Sequence, residues 1–404
     1  MNPNSDNYGK SPSQVAWKRL KRNKIAMTGL VFICLCCIIS VIGPLVLPDG
    51  SPDANEQILE LATQPPGFKI EMLKVCKSPP PEKKIPLVRL INGEENRYKY
   101  IPITGYSFKN DKIVFTIFPG DFNTKGQIDS LPLASVLFSV SSTEPITQPN
   151  SSTTRFIDYR GILNYSNIAA LQKQIAAQNI ITRTYWLGTD PFGRDMFSRL
   201  LLGTRISMAV GFISVFISLI VGIFLGAISG FYGGKTDSFI QWLINVVWSI
   251  PTLLLVIAIS FALGRGFWQV FVAVGLTMWV DVARMVRGQI LGLRETEYVQ
   301  AARALGFKNA RIIFQHILPN TIGPVIVISA ANFSTAILLE AGLSFLGVGV
   351  QPPAPSWGVM LYEHYGYIVL NAAYLAILPG MAIMLMVLAF NLLGNGLRDA
   401  LLGK

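Results

Sequence analysis

Few residues in this 404-residue chain have the types and spacing for chemistry, and they argue against an enzyme. Asp190 and Asp195 form a carboxylate pair of the kind that does general acid–base work, but no His, Cys or metal ligand joins them. Gly234-Lys235-Thr236 imitates the end of a phosphate-cradling loop. The first Gly of that pattern would fall at Ser229, and no soluble strand precedes it, so the stretch reads as a tight turn between helices. Cys34, Cys36 and Cys37 lie in an apolar run, where Cys behaves as a small hydrophobe. Cys76 stands alone in a polar region, so no disulfide framework is implied. His316 and His364 are the only histidines and have no metal-ligand spacing. The expectation is no catalytic residue, no metal and no cofactor.

The remaining polar candidates lie in apolar surroundings. Asp281, Asn332, Glu340 and Asn391 sit at or within long hydrophobic runs, where ionisable groups are costly and usually face a bundle interior or an aqueous path. Asn332 and Glu340 are read either as lining such a path near an outer gate or as helix–helix hydrogen-bonding groups. Asp281 is expected to pair with Arg284. Gly211, Gly222, Gly226, Ala330 and Ala331 suit close helix packing.

The polar, basic stretch Glu297–Asn320 is the feature that the apolar runs must position. Tyr298, Ala301, Ala302 and Leu305 recur at helical spacing, with Gly306 where a helix stop falls. A second helix is expected from Asn309 as N-cap, with Ala310, Ile313, Phe314 and Ile317 repeating the period. Pro319 suits the first turn of a third helix. The result is a stiff amphipathic hairpin suited to docking into a partner.

The chain is 51% hydrophobic and only 14% charged, which points to a membrane protein. Its net charge of +11 reflects Lys and Arg beside apolar spans, not a nucleic-acid-binding face, so a lipid bilayer is the expected partner and nucleic acid is not. Apolar runs of spanning length occur at about 25–47, 206–228, 239–263, 267–283, 321–345 and 369–393. Pro251 is expected to kink the third. The basic cluster Lys18–Lys24 and the Arg-rich 284–311 connection place both termini and the hairpin in the cytoplasm. Between the first two spans the sequence is polar and Pro-rich. Strand-like runs are read at Ile85–Ile91, Tyr98–Thr104, Lys112–Phe118 and Ala134–Ser141, and a helix at Ile168–Ile180. The expected layout is a tail (1–24), a first span (25–47), an inserted domain outside the cytoplasm (48–185), and a core (186–404) with five spans and the hairpin at 295–319.

Gln300-Ala301-Ala302, Gly306 and Leu318-Pro319 resemble the "EAA" loop of ABC-importer permeases, Glu-Ala-Ala-x3-Gly-x9-Ile-x-Leu-Pro. Gln300 replaces its Glu and His316 its Ile. The longer string Tyr298–Gly306, with His316–Asn320, is similar to the dipeptide/oligopeptide/nickel branch and to its "C" subunits. Gly188-Thr-Asp-Pro-Phe-Gly-Arg-Asp195, the Gly-Gly-Lys turn, Glu340–Gly349 and Gln351–Gly358 extend the match. It is weak over 17–47 and strong over 186–401. On the bottom-up reading, Asp190 would cap a helix opening at Pro191.

The resemblance implies an all-α polytopic protein with the six-helix type I importer (MetI-like) permease fold; the inserted, mainly β (α+β) domain read from the residues between the first two spans departs from it, since the branch usually has a much shorter connection there. It implies a permease subunit in the bacterial inner membrane that hydrolyses no ATP itself. Partners would be a second permease, two cytoplasmic ATPases and an extracytoplasmic solute-binding protein. Coupling would fall to Glu297, Gln300, Ala301, Ala302, Gly306, His316, Leu318 and Pro319, and the cargo would be peptide, with nickel or another small solute as the alternative. A secondary transporter and a membrane-anchored receptor are the rival classes, but neither needs the hairpin.

Overall fold

The computed structural model describes residues 12–402, apart from 86, 87, 90–92, 142–145, 151 and 265. Contacts divide the chain into two compact units, one of residues 1–40 with 203–404 and one of residues 41–202.

The helical unit holds α1 (Pro12–Arg22) and the start of α2 (Lys24–Val46). Most of α5 (Met196–Tyr232) follows, then α6 (Gly234–Ser249), α7 (Thr252–Leu263) and α8 (Phe267–Leu293). The chain continues with α9 (Glu297–Ala304), α10 (Asn309–Phe345), α11 (Trp357–His364) and α12 (Tyr374–Leu402). Among the described residues five helices are long and apolar enough to cross a bilayer, namely α2, α5, α8, α10 and α12. The expected third span is instead two helices, α6 and α7, bent by 96° at Ile250-Pro251. Pro251 has no N–H for the ladder and disfavours helical geometry at Ile250, which is extended, so the kink becomes a break.

Close helix packing rests on glycine. A Cβ on Gly222 would lie 2.5 Å from Val282, on Gly226 2.6 Å from the Ala283 carbonyl, and on Gly230 2.9 Å from Ile290. These glycines repeat every fourth residue, so α5 presents one bare stripe against which α8 seats. Gly211 similarly admits the Phe333 ring. Arg284 does not pair with Asp281. It bonds Asn245 at 3.3 Å and stacks on Trp248 at 3.9 Å, because the α6 side of α8 offers an amide and an aromatic face.

The second unit is built on a five-stranded antiparallel sheet in the order β4-β3-β2-β1-β8: β1 (Phe68–Cys76), β2 (Tyr98–Lys109), β3 (Lys112–Ile117), β4 (Ile128–Pro132) and β8 (Ile180–Tyr185). The entering strand β1 pairs with the leaving strand β8 from Phe68↔Tyr185 to Leu73↔Ile180. One face of the sheet buries Leu73, Ile103, Ile113 and Phe115 under α3 (Leu133–Leu137) and α4 (Ile168–Gln178). The other buries Ile70, Met72 and Phe118 against Ile58 and Leu61. Asn167 caps α4, its Oδ1 accepting from Ala169 and Ala170. A three-stranded sheet, β5 (Thr147–Asn150), β6 (Thr153–Ile157) and β7 (Leu163–Asn167), completes the unit.

The expected strands at 98–104 and 112–118 are present, the first longer than read. The Ile85–Ile91 run lies largely outside the described residues, as does the tail before Pro12. The Ala134–Ser141 strand is overturned. Its first part belongs to α3, where Leu133, Ala134 and Val136 face the core, and its end makes only an isolated bridge from Val140 to Asp158.

Candidate coupling site on the Glu297–Pro319 hairpin

The hairpin closes through a Schellman motif. Gly306 has φ +75°, its N–H donates to the Arg303 carbonyl at 2.9 Å, and the Phe307 N–H reaches back to the Ala302 carbonyl at 3.1 Å. Any side chain at 306 would strain this left-handed turn, although its space is open. Ala302 therefore serves twice, as an acceptor in the turn and as a small buried contact.

The inward face is Val299 and Ala302 from α9 with Ile312, Ile313 and Ile317 from α10. These pack on Ala227 and Phe231 of α5 and on Val282, Val286 and Ile290 of α8. The stripe read from sequence thus splits, with Ala302 inside and Tyr298, Ala301 and Leu305 outside. Residues 312–317 are a π-helical turn. Its wider period turns Ile312, Ile313 and Ile317 inward together and leaves Ala310 and Phe314 exposed. As read, an α-helical stretch begins at Leu318 with Pro319 in its first turn, where the missing N–H costs nothing; it continues directly from the π turn, so α10 as a whole runs from Asn309 to Phe345. Lys308, not Asn309, holds the capping position. Asn320 Nδ2 donates to the His316 carbonyl at 2.7 Å and to Tyr298 Oη at 3.3 Å, joining the two arms.

Cations fasten the base of the hairpin. Arg287 makes a bidentate pair with Asp237 at 2.6–2.7 Å, and Ser229 Oγ also donates to that carboxylate. Arg294 Nη1 donates to the Gly230 carbonyl at 3.1 Å, and Arg303 stacks on Phe231 at 5.3 Å. The Ser229–Thr236 turn is therefore a bracket between helices, with Gly233 and Gly234 at positive φ. His316 is half-buried, its ring parallel to Phe307 at 5.8 Å, while Arg311 covers Phe307 at 4.2 Å. Gln300 is exposed and donates to the Glu295 carbonyl at 3.1 Å. Glu297, Ala301 and Pro319 are exposed, and Leu318 is partly buried.

The outward face is apolar where water would otherwise cover it. Leu305 is 73% exposed and Phe314 67%, beside Tyr298. These three form an exposed apolar edge on a hairpin whose opposite face is packed against α5 and α8. Periodicity alone did not distinguish Phe314 from the inward set, because the π turn at 312–317 shifts the phase.

Asn332 and Glu340 are not brought to this site. Glu340 lies about 30 Å along the α10 axis from Pro319 at 1.5 Å per residue. It is fully buried, accepting from Ser344 Oγ at 2.8 Å, and Ser344 Oγ accepts from the Val350 N–H at 3.3 Å. Asn332 is also buried within the chain.

Asp190 belongs to a different construction. It is buried, and no helix opens at Pro191. Its Oδ1 accepts from the Phe192 and Arg194 N–H groups at 2.9 Å, and its Oδ2 meets Arg194 Nε at 2.5 Å and Arg199 Nε at 3.8 Å. Asp195 is the real cap of α5, accepting from the Ser198 N–H at 3.1 Å. Ser198 Oγ in turn accepts from the Asp49 N–H at 3.1 Å, and Arg194 reaches Asn55 at 3.2 Å. The carboxylates fold a turn onto the 49–64 segment; among the described residues no group of three or more His, Cys, Asp or Glu could hold a metal.

A bundle of helices long and apolar enough to cross a bilayer, with a braced hairpin packed on α5 and α8, defines an integral membrane protein. Residues 222–403 match the family described as the binding-protein-dependent transport system inner membrane component, and residues 11–66 match the N-terminal transmembrane domain of oligopeptide transport permease C. Over 217 residues the chain is 45% identical to the dipeptide transport system permease protein DppC of Alkalihalophilus pseudofirmus, covering 54% of this chain and 71% of that one. It is equally identical over 217 residues to the glutathione transport system permease protein GsiD of Pectobacterium atrosepticum, covering 54% and 72%. The oligopeptide transport system permease protein OppC of Bacillus subtilis is 40% identical over 220 residues, covering 54% and 72%. Among solved structures, the inward-facing methionine ABC transporter MetNI is similar over 51% of this chain and 97% of that chain, with 22% identity and a TM-score of 0.43. The chain belongs to the binding-protein-dependent transport permeases, as a subunit of the DppC/OppC type of ABC importer.

Proposed function

We propose that the chain forms half of a peptide translocation path in the bacterial inner membrane, with a second permease supplying the other half. Two separate ATPases bind on the cytoplasmic side, and a solute-binding protein delivers peptide from outside. Both termini and the 295–319 hairpin face the cytoplasm, and the 48–185 insertion faces outward. The broken α6–α7 pair counts as one span, giving six. Peptide as cargo is supported by the names of the relatives, which carry dipeptides, oligopeptides or glutathione.

One observation carries the coupling role: Tyr298, Leu305 and Phe314 stand outward on a hairpin whose inner face is fixed to α5 and α8. An ATPase gripping this ridge through Glu297, Gln300 and Ala301 would pull on α10 directly, because Leu318-Pro319 continues into that helix. Ala302, Gly306 and His316 hold the shape of the ridge. Asn332 and Glu340 brace the far end of α10 beside the outer gate. Gly306→Val in the purified complex tests this. Normal membrane insertion with loss of ATP-driven uptake is expected; unimpaired coupling of hydrolysis to uptake would overturn it. Identifying the ligand retained by the associated binding protein tests the cargo, and nickel or another small solute there would refute peptide.

A further inference from the structure

The short helix α1 has two unlike faces. On one, Leu20 is buried and Ala16 partly so against Leu393, Leu397 and Ala400 of α12. Arg19 Nη1 donates to the Ala400 carbonyl at 3.3 Å. Asn23 joins α1 to α2: its N–H donates to the Leu20 carbonyl at 3.0 Å, and its Oδ1 accepts from the Ala26 N–H at 3.1 Å. A Cβ on Gly396 would meet Ala26 and Leu20, so α12 approaches this corner closely. Helix α1 is therefore fixed to the end of α12.

The other face is open. Lys21 and Arg22 of α1 and Lys24, the first residue of α2, are exposed, and no carboxylate occurs between Pro12 and Pro48. The carboxylate on α12, Asp399, lies 3.9 Å from Arg398. Trp17 is 47% exposed beside these cations, with Lys21 Nζ 5.3 Å from its ring centroid. The membrane-crossing helix α2 begins at Lys24, one residue after α1 ends. An amphipathic helix at this position, with a Trp and a basic face, lies at headgroup level.

We propose that α1 is a binding surface for the anionic phosphodiester headgroups of the membrane's own lipid. Lys21, Arg22 and Lys24 supply the charge, and Trp17 inserts at the interface. The cluster thus keeps a function in the mature protein, beyond setting orientation during insertion. Lipid held there would press α1 on the end of α12, which packs along α10.

The test uses the full chain in non-ionic detergent, titrated with phosphatidylglycerol or with phosphatidylcholine of the same acyl chains, and lipid adducts are resolved by native mass spectrometry. Wild type should prefer phosphatidylglycerol at least tenfold, and the preference should fall in high salt. A Lys21→Gln/Arg22→Gln/Lys24→Gln variant should lose roughly a hundredfold in phosphatidylglycerol affinity, about fivefold per basic residue. Lys21→Arg/Lys24→Arg should keep it. Equal binding of the two lipids, an unaffected triple variant, or full displacement by millimolar inorganic phosphate would each overturn the proposal.

Discussion

The two units treat polar and apolar groups in opposite ways. In the helical unit, charges such as Arg287–Asp237 sit part-exposed at helix ends, while Phe216, Phe224, Trp242 and Leu254 stand uncovered along the spans. In the 41–202 unit the sheet encloses its apolar residues, and Asp190, Arg194 and Arg199 are all but inaccessible. The first leaves its apolar surface to a bilayer, whereas the second completes its own core and must satisfy buried charge internally. The same chain therefore carries two criteria for what counts as well packed.

The sharpest way to break this contrast is Asp190→Ala. It would remove the carboxylate that both Arg194 and Arg199 face, at a cost of about 3–5 kcal/mol. Loss of protease resistance in residues 41–202 is expected, and a variant as resistant as wild type would remove the buried clasp from the account. Next is Gly226→Leu, which forces a side chain into the Ala283 carbonyl and should cost about 1–3 kcal/mol by overpacking. Gly288→Ala is its control, since nothing lies within 4 Å of an added Cβ there. Equal melting temperatures for the two variants would show that the α5–α8 seam is not close-packed. Phe314→Ala should leave melting unchanged but reduce ATP-driven uptake several-fold, as the proposed coupling ridge requires of an exposed residue.

The smallest effect concerns pH. Burial pushes the Asp195 carboxyl up from its ordinary 3.8, against the hydrogen bonds from Ser198. The Glu56 carboxyl is likewise raised from 4.5 by burial, opposed by Arg183. A raised folded value means that the native state binds more protons than the unfolded chain within the shifted window. Stability from these two groups is therefore greatest at low pH and declines as pH rises from about 4. Asp195→Asn removes its share, so its melting temperature relative to wild type should climb between pH 4 and 7. A constant difference would refute the assignment.

How much was legible in the sequence follows the same division. Helices α2, α5, α9 and α10 were readable because a bilayer demands length and a docking hairpin demands period and a glycine stop. Gly306 was found by conformational logic alone. The π turn was not, since Ile312–Ile317 carries no signal separating it from an α-helix until its neighbours are known. The break at Pro251 was read too weakly, because a proline is compatible with both a kink and a 96° bend. Strands β1 and β8 went unread: Phe68–Cys76 mixes Lys and Glu with apolar residues, and its pairing partner lies over a hundred residues away. Asp190 was read as the cap of a helix opening at Pro191, but the helix opens at Met196 behind Asp195, because Asp190 is taken up by its own turn and by Arg194.

Phe68 and Tyr185 face each other across one rung, so the strands enter and leave the sheet about 5 Å apart. To the flanking segments, everything between them is a closed bracket: its contents can lengthen, shorten or be exchanged while the gap it spans stays constant. A permease carrying such a bracket can acquire an inserted module without re-registering a single membrane helix.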